Sequence, residues 1–210
     1  MLIIGLEGTQ LTDAERAQLM HPAVAGVILF SRNIVNREQS EALITDIRRS
    51  RESPLLICVD QEGGPVQRFR DGYAPLPPLA DIGAVYQADP ARAKALAAEH
   101  AWLMASEMRA IGIDLSFAPV LDLKAGNRAI GARAFHLDPD ICAELGATYI
   151  QAMHAAGMRA TAKHFPGHGS VREDTHLADA IDRRPWSTIE ACDLIPFVAA
   201  IRAGVDAIMM

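Results

Sequence analysis

The sequence predicts an α/β fold in which parallel strands and helices alternate and the strands close into a (β/α)₈ barrel (TIM barrel). Short apolar segments recur about every 35 to 45 residues, separated by longer Ala-rich amphipathic segments. Hydrophobicity at successive positions is typical of parallel strands that are buried on both faces. The six predicted strands are Leu2–Leu6, Gly26–Phe30, Leu55–Asp60, Ile113–Pro119, Arg159–Phe165 and Val205–Met210.

Capping residues predict where the intervening helices begin and end. Thr12 with Glu15, and the Ser187–Glu190 segment, match capping boxes. Asp89-Pro90 and Asp138-Pro139 each place a capping side chain before a first-turn proline. A glycine follows three predicted helices and leads into the next strand, as expected at position C′. These glycines are Gly112, Gly157 and Gly204.

The placement of polar residues favours a barrel over an open, doubly wound sheet. Asp60, Asp122 and the pair Lys163-His164 all end predicted strands. A barrel gathers the carboxyl ends of its strands into one pocket, whereas an open sheet spreads most of them apart. The first strand also lacks the glycine fingerprint of a dinucleotide-binding fold. No linker or low-complexity tract divides the chain.

The length predicts only part of such a barrel. The chain stops at Met209-Met210, inside the sixth strand, whereas a complete barrel takes roughly 250 residues. We therefore expect residues 1–210 to be the N-terminal part of one barrel domain, truncated at its C-terminus, with about six of the eight βα units.

Composition excludes several other classes of protein. A formal net charge of −6 is a poor match for nucleic acid, which binds basic surfaces. The three widely spaced cysteines, Cys58, Cys142 and Cys192, form no disulfide framework. The chain has neither a signal-peptide pattern nor the roughly 18 consecutive apolar residues of a membrane span. We expect a cytoplasmic monomer that binds a small molecule, without nucleic-acid or membrane partners.

The segment KHFPGHGSVREDTH, residues 163 to 176, carries the strongest chemical pattern. Lys163 and His164 end a strand, and a glycine-rich loop follows. Asp174 and His176 are two positions apart, which places both side chains on one face of an extended stretch. A carboxylate beside an imidazole fixes the tautomer of the ring and raises its proton affinity. The pair therefore predicts acid/base catalysis.

A metal site is the competing interpretation of the same segment. His164, His168, His176 and Asp174 are all ligand types that zinc accepts. The sequence has no HExxH motif, and the charge of Lys163 would oppose a bound cation. The interpretation without a metal or other cofactor is therefore favoured.

The segment VDQEGGPVQRF, residues 59 to 69, supplies a second group of polar residues. Asp60 and Glu62 end a buried strand, the chain turns at Gly63-Gly64, and Arg68 is close enough in sequence to return to the same pocket. A carboxylate and a guanidinium both make the paired hydrogen bonds that grip sugar hydroxyls. A structural Asp–Arg ion pair explains these residues equally well.

Taken together, these segments resemble the β-N-acetylhexosaminidases of glycoside hydrolase family 3, the cytoplasmic enzymes of bacterial peptidoglycan recycling. The resemblance implies a single TIM barrel that retains anomeric configuration and removes β-linked N-acetylglucosamine from anhydro-muropeptides. The matching stretches are LFSRN (29–33), DQEGGPVQRF (60–69), WLMASEM (102–108), SFAPVLD (116–122), AIGARAF (129–135) and KHFPGHGSVREDTH (163–176).

The same resemblance implies roles for individual residues. His176 would be the proton donor and acceptor, with Asp174 as its partner. The nucleophile, an aspartate, is expected after a later strand, beyond Met210, so the 210-residue chain alone is expected to be inactive. The residues that would hold the sugar are Asp60, Arg68, Arg133, Lys163 and His164.

The sequence departs from the family pattern at two positions outside this set, where Thr175 replaces a usual serine and Ala132 a common glutamate. Two rival hypotheses stay open. One is a β-glucosidase of the same family, and the other is an inactive remnant that only binds muropeptides.

Overall fold

The computed structural model describes residues 1–172 and 179–210. Its main sheet contains six parallel strands whose spatial order follows their order along the chain. A doubly wound sheet reverses its strand order, whereas consecutive parallel neighbours are the arrangement of a barrel wall. The predicted barrel architecture is therefore confirmed as a curled half-barrel. The strands are β1 (Leu2–Gly5), β2 (Val24–Leu29), β3 (Leu56–Val59), β6 (Leu115–Ser116), β7 (Arg159–Lys163) and β8 (Ala207–Met209).

Two short strands, seven α-helices and two 3₁₀ helices, Ser31–Asn33 and Gly131–Arg133, complete the described elements. β4 (Gln61–Gly63) and β5 (Val66–Gln67) form an antiparallel hairpin directly after β3, which the sequence did not predict beyond a sharp turn. The helices are α1 (Asp13–Leu19), α2 (Arg37–Arg49), α3 (Leu79–Tyr86), α4 (Pro90–Ala110), α5 (Pro139–Ala155), α6 (Trp186–Ala191) and α7 (Ile195–Arg202).

Most of the predicted helix boundaries are confirmed. Thr12 and Glu15 form a full capping box at α1, and the Asp89 and Asp138 carboxylates accept backbone hydrogen bonds at the starts of α4 and α5. The three predicted C′ glycines all have positive φ. The predicted capping box at Ser187–Glu190 is wrong. Helix α6 begins two residues earlier than that box requires, after Pro185, whose φ of −59° and extended ψ fit the capping position.

The strands differ from prediction in length and in burial. β6 is regular only over two residues, and the chain turns directly after it, where Ala118 N–H donates to Ser116 O. Pairing with β7 nevertheless continues, since Thr161 N–H donates to Ala118 O and Leu121 N–H donates to Lys163 O. β1 and β8 are more exposed than predicted because each has only one neighbouring strand in the described part of the chain.

The helices pack on the outer face of the sheet around one continuous hydrophobic core. α4 is covered by α3 and α5, and α5 by α7. None of the helices in the described ranges is long and apolar enough to cross a membrane. All three cysteines are free thiols, and burial raises the pKa values of Cys58 and Cys142 to about 12.

Candidate active site

The carboxyl ends of the strands surround a cavity of about 430 Å³. Asp60 directly follows β3, and Lys163 is the last residue of β7. All five residues predicted to hold a sugar lie on its wall. The full lining is Ile28, Asp60, Glu62, Val66, Arg68, Phe117, Arg133, Lys163, His164, Met209 and Met210.

Five of the lining side chains form a chain of alternating charge. The Lys163 ammonium donates to Asp60 Oδ1 at 2.7 Å and lies 2.6 Å from Glu62 Oε1. Glu62 accepts two hydrogen bonds from the Arg133 guanidinium, at 2.8 Å from Nε and 2.9 Å from Nη2. Arg68 reaches the other oxygen of Asp60 at 3.8 Å. The order is therefore Arg133, Glu62, Lys163, Asp60 and Arg68, with three cations and two carboxylates.

Burial makes the pairing of Glu62 with Lys163, in the middle of this series, obligatory. The side chains of Glu62 and Lys163 are only 2% and 3% exposed, and an unpaired charge at that depth is costly. Burial disfavours the charged form of Arg133, but its hydrogen bonds to Glu62 outweigh that effect and raise its pKa. Asp60 is more accessible, at 18% side-chain exposure, and it lines the cavity.

The β4–β5 hairpin positions two of these residues. The Gln61 side-chain oxygen accepts hydrogen bonds from the backbone N–H groups of Arg68 and Phe69. These bonds hold the returning strand and bring Arg68 back to Asp60. At the turn, Gly63 has φ +94°, and a Cβ there would lie 2.6 Å from Nε2 of His100. Only glycine satisfies both the backbone conformation and this close approach.

The buried side chain of His100 packs against Gly63 in the β4–β5 hairpin. Its Nδ1 lies 3.0 Å from the Tyr149 hydroxyl and its Nε2 lies 3.0 Å from Pro77 O. Burial lowers the pKa of His100 to about 4, although the hydrogen bond with Pro77 O acts in the opposite direction. The ring is therefore neutral at physiological pH.

Asp122 organises the start of the loop after β7. Its fully buried carboxylate lies 2.6 Å from Nδ1 of His164 and accepts hydrogen bonds from the backbone N–H groups of His164 and His168. Since the carboxylate is an acceptor, Nδ1 of His164 is the donor in this contact. His164 thereby presents a fixed ring to the cavity.

The predicted acid/base pair, Asp174 and His176, lies in residues 173–178, outside the described residues. Its role stays a prediction. Among the residues that the structure does describe, no three His, Cys, Asp or Glu side chains are arranged to hold a metal ion.

Two residues of the site were not singled out from the sequence. Glu62 was noted only as a strand-end carboxylate and Asp122 only as a strand-end polar residue, yet Glu62 joins Arg133 to Lys163 and Asp122 holds the His164 ring. A signal was present for both, because each is an acidic residue within or just after an apolar segment. An acidic side chain that is buried with the strand must have a partner.

The comparisons with known proteins agree with this geometry. Residues 3–210 match the glycosyl hydrolase family 3 N-terminal domain. The chain therefore belongs to glycosyl hydrolase family 3.

Two curated relatives of the chain carry the same name. The chain is 61% identical over all 210 residues to a β-hexosaminidase of Stenotrophomonas maltophilia and 58% identical to one of Xylella fastidiosa. In both cases the chain spans 63% of the length of the curated relative.

Solved structures of related enzymes superpose closely. NagZ from Neisseria gonorrhoeae in complex with N-trifluoroacetyl-D-glucosamine is 41% identical, with a TM-score of 0.96 over 99% of this chain and 62% of that protein. The same Neisseria protein was also solved in complex with a zinc ion, at 39% identity and a TM-score of 0.94, with 99% and 62% of the two chains covered. A family 3 β-N-acetylglucosaminidase from Paenibacillus is 35% identical, with a TM-score of 0.92 over 99% of this chain and 40% of that protein.

Proposed function

We propose that residues 1–210 are the N-terminal part of a single-barrel, retaining exo-β-N-acetylglucosaminidase. The observation that carries this proposal is the cluster of Asp60, Arg68, Arg133, Lys163 and His164 around one cavity at the carboxyl ends of the strands. A close relative of this chain is named β-hexosaminidase, and the Neisseria relative binds an N-acylated glucosamine. Both names support the same substrate class.

The cluster suits a neutral sugar ring with several hydroxyl groups. Asp60 offers a carboxylate that can accept from two neighbouring hydroxyls, while Arg68, Lys163 and Arg133 offer donors on the wall of the same cavity. Because the cations and carboxylates are already paired, the sugar meets hydrogen-bonding groups in fixed positions. Preorganised groups bind a ligand without the cost of ordering them first.

The reaction that we propose is a double displacement. An aspartate supplied by sequence after Met210 attacks the anomeric carbon, while His176 protonates the departing glycosidic oxygen. Water, deprotonated by His176, then attacks the glycosyl–aspartate bond and releases the sugar with its original configuration. Asp174 holds the histidine in the required tautomer.

Two measurements on the complete gene product, with any sequence encoded after residue 210, test this reaction. The enzyme should hydrolyse an aryl β-N-acetylglucosaminide far faster than the matching aryl β-glucoside. His176→Ala should reduce kcat/KM for a phenyl leaving group by at least about 100-fold, and much less for a 2,4-dinitrophenyl group, which needs no proton. Equal rates on the two sugars would make the β-glucosidase hypothesis the better one. Full activity of His176→Ala on the phenyl substrate would exclude its role as the acid.

The natural substrates that we propose are peptidoglycan fragments, GlcNAc-anhydroMurNAc and its peptides, released during cell-wall recycling in the cytoplasm. The three free thiols agree with a reducing compartment. Release of N-acetylglucosamine from purified anhydro-muropeptides, followed by mass spectrometry, tests the substrate. If the protein bound the anhydro-muropeptides but released no N-acetylglucosamine, the hypothesis of an inactive remnant that only binds muropeptides would be favoured. Size-exclusion chromatography tests the further expectation of a monomer.

We propose that this chemistry needs no metal, although the Neisseria relative was also solved with a zinc ion. Activity should therefore be unchanged after exhaustive treatment with a chelator. Loss of activity that zinc restores would favour the metal interpretation of the histidine loop.

A further inference from the structure

A buried carboxylate, Asp193, joins the two ends of the segment that follows β7. Asp193 lies in the turn between α6 and α7 and is 1% exposed. Its Oδ1 accepts a hydrogen bond from the Ser170 hydroxyl at 3.0 Å. The same carboxylate accepts from both terminal nitrogens of Arg184, at 2.8 and 3.1 Å. Ser170 precedes residues 171–183 and Arg184 follows them, so one side chain fixes both stems of the loop.

The backbone also packs directly onto this carboxylate. Gly167 has φ +126°, and a Cβ built there would lie 2.7 Å from the Cβ of Asp193. The loop therefore leaves β7 in contact with Asp193, bonds to it again at Ser170, and returns to it at Arg184. All the hydrogen bonds that Asp193 makes with described side chains go to these two stem residues.

The turn that carries Asp193 is itself held by the core. Phe197, in the first turn of α7, is 1% exposed and meets Phe165 edge to face, with ring centroids 5.5 Å apart. Asp193 is thus a fixed point between the end of β7 and helix α7. A buried carboxylate in that position costs free energy unless it is paired, and here its partners come from the loop stems rather than from its own helices.

We propose that Asp193 is a positioning residue for acid/base catalysis: it fixes the stems of the loop that carries Asp174 and His176. The inference rests on the proposed function, in which His176 is the acid. Fixing the two ends of a loop lowers the conformational entropy of everything between them. A misplacement of about 1 Å at a catalytic group costs up to roughly 100-fold in rate. Loss of Asp193 should therefore act on proton transfer and not on sugar binding.

The experiment compares D193N with D182N in the complete gene product. Asp182 pairs with the same Arg184, at 2.6 Å from its Nη2, but has no bond to Ser170, so D182N removes an equivalent charge without separating the stems. For D193N we expect kcat/KM to fall about 10- to 100-fold on the phenyl N-acetylglucosaminide and less than about threefold on the 2,4-dinitrophenyl one. D182N should leave both values within about threefold of the parent enzyme. S170A, which leaves no charge unpaired, should shift the phenyl rate in the same direction by a smaller factor.

A second readout does not depend on activity. Arg172 and Arg183 are exposed trypsin sites that lie between the two stems. Trypsin should cleave at these two sites faster in D193N than in D182N. Cleavage at other sites in the chain should be equally slow in the two variants.

The outcomes separate this inference from the proposed function. The positioning role would be overturned if D193N lowered kcat/KM equally for both leaving groups, or if D193N and D182N behaved alike. In either case His176→Ala could still show its leaving-group dependence, and the proposed function would stand. Absence of that dependence in His176→Ala itself would overturn the proposed function and the inference with it. If D193N does not fold, S170A and the trypsin comparison decide between the same outcomes.

Discussion

Replacement of Glu62 by glutamine perturbs the most buried point of the charged cluster with almost no change in volume. Glu62 is 2% exposed and neutralises two cations, Lys163 at 2.6 Å and Arg133 through two hydrogen bonds. In the variant Lys163 keeps Asp60, but Arg133 loses its only carboxylate among the pairs described here. A buried ion pair that loses one partner typically destabilises a protein by about 3 to 5 kcal/mol. Because Arg133 stays 15% exposed and Lys163 stays paired, we expect Glu62→Gln to lower the free energy of unfolding by about 3 kcal/mol, the lower end of that range.

The matched control is Glu41→Gln. Glu41 also pairs with an arginine, Arg37, at 2.8 Å, but both side chains are more than 40% exposed. Exposed pairs at this spacing contribute at most about 0.5 kcal/mol. Urea unfolding at pH 7, followed by circular dichroism, compares the two variants with the parent chain at equal m-value. If Glu62→Gln were as stable as Glu41→Gln, the cluster would not be an obligatory charge network.

Three further predictions follow from the same network and its surroundings. The pKa of His100 is lowered to about 4 in the folded chain from 6.5, so the unfolded chain binds the proton first as the pH falls. Stability should therefore decrease between about pH 6.5 and 4.5, by roughly 2 to 3 kcal/mol. Urea midpoints should show this loss in the parent chain and not in His100→Gln. Gly83→Ala would place a Cβ 1.8 Å from Phe135 O, whereas at Gly8 no atom lies within 4 Å. Gly83→Ala should destabilise the fold by about 1 to 3 kcal/mol or more, and Gly8→Ala should have almost no effect. Equal melting temperatures of the two variants would contradict this interpretation of the packing. Asp206→Asn removes the negative charge from a carboxylate that accepts from Ala160 N–H and lies 2.8 Å from His154 Nε2, and so weakens both contacts. Burial of Asp206 acts to raise its pKa, but its hydrogen bonds and the neighbouring charges outweigh that effect. The pKa of Asp206 is therefore lowered. The difference in stability between parent and variant should be about 1 kcal/mol near neutral pH and should vanish as the pH falls through that lowered pKa.

The sequence predicted the strands and the edge of the sheet where the site lies, because both follow from local pattern. Apolar segments of strand length located β1, β2, β3 and β7, and polar residues at their ends located the pocket. The capping box at Ser187 failed because Pro185 takes the capping position one residue before the helix. A serine and a glutamate at the spacing of a capping box do not by themselves decide which residue caps a helix.

The pairings inside the site were beyond local pattern. Arg133 meets Glu62 across 71 positions of sequence, and Lys163 meets Asp60 across 103. No periodicity relates such positions, since their contact depends on the curvature of the sheet and on where each loop returns. The same holds for Asp193, whose partners lie 23 residues before it and 9 residues before it.

A crystal structure of the complete gene product with N-acetylglucosamine tests whether the charged cluster at the strand ends holds the sugar. We expect the sugar ring in the 430 Å³ cavity, with its hydroxyl groups within hydrogen-bonding distance of Asp60 and Lys163, and with Glu62 still paired to Arg133. A sugar bound elsewhere, with these side chains unchanged and out of contact, would contradict this expectation.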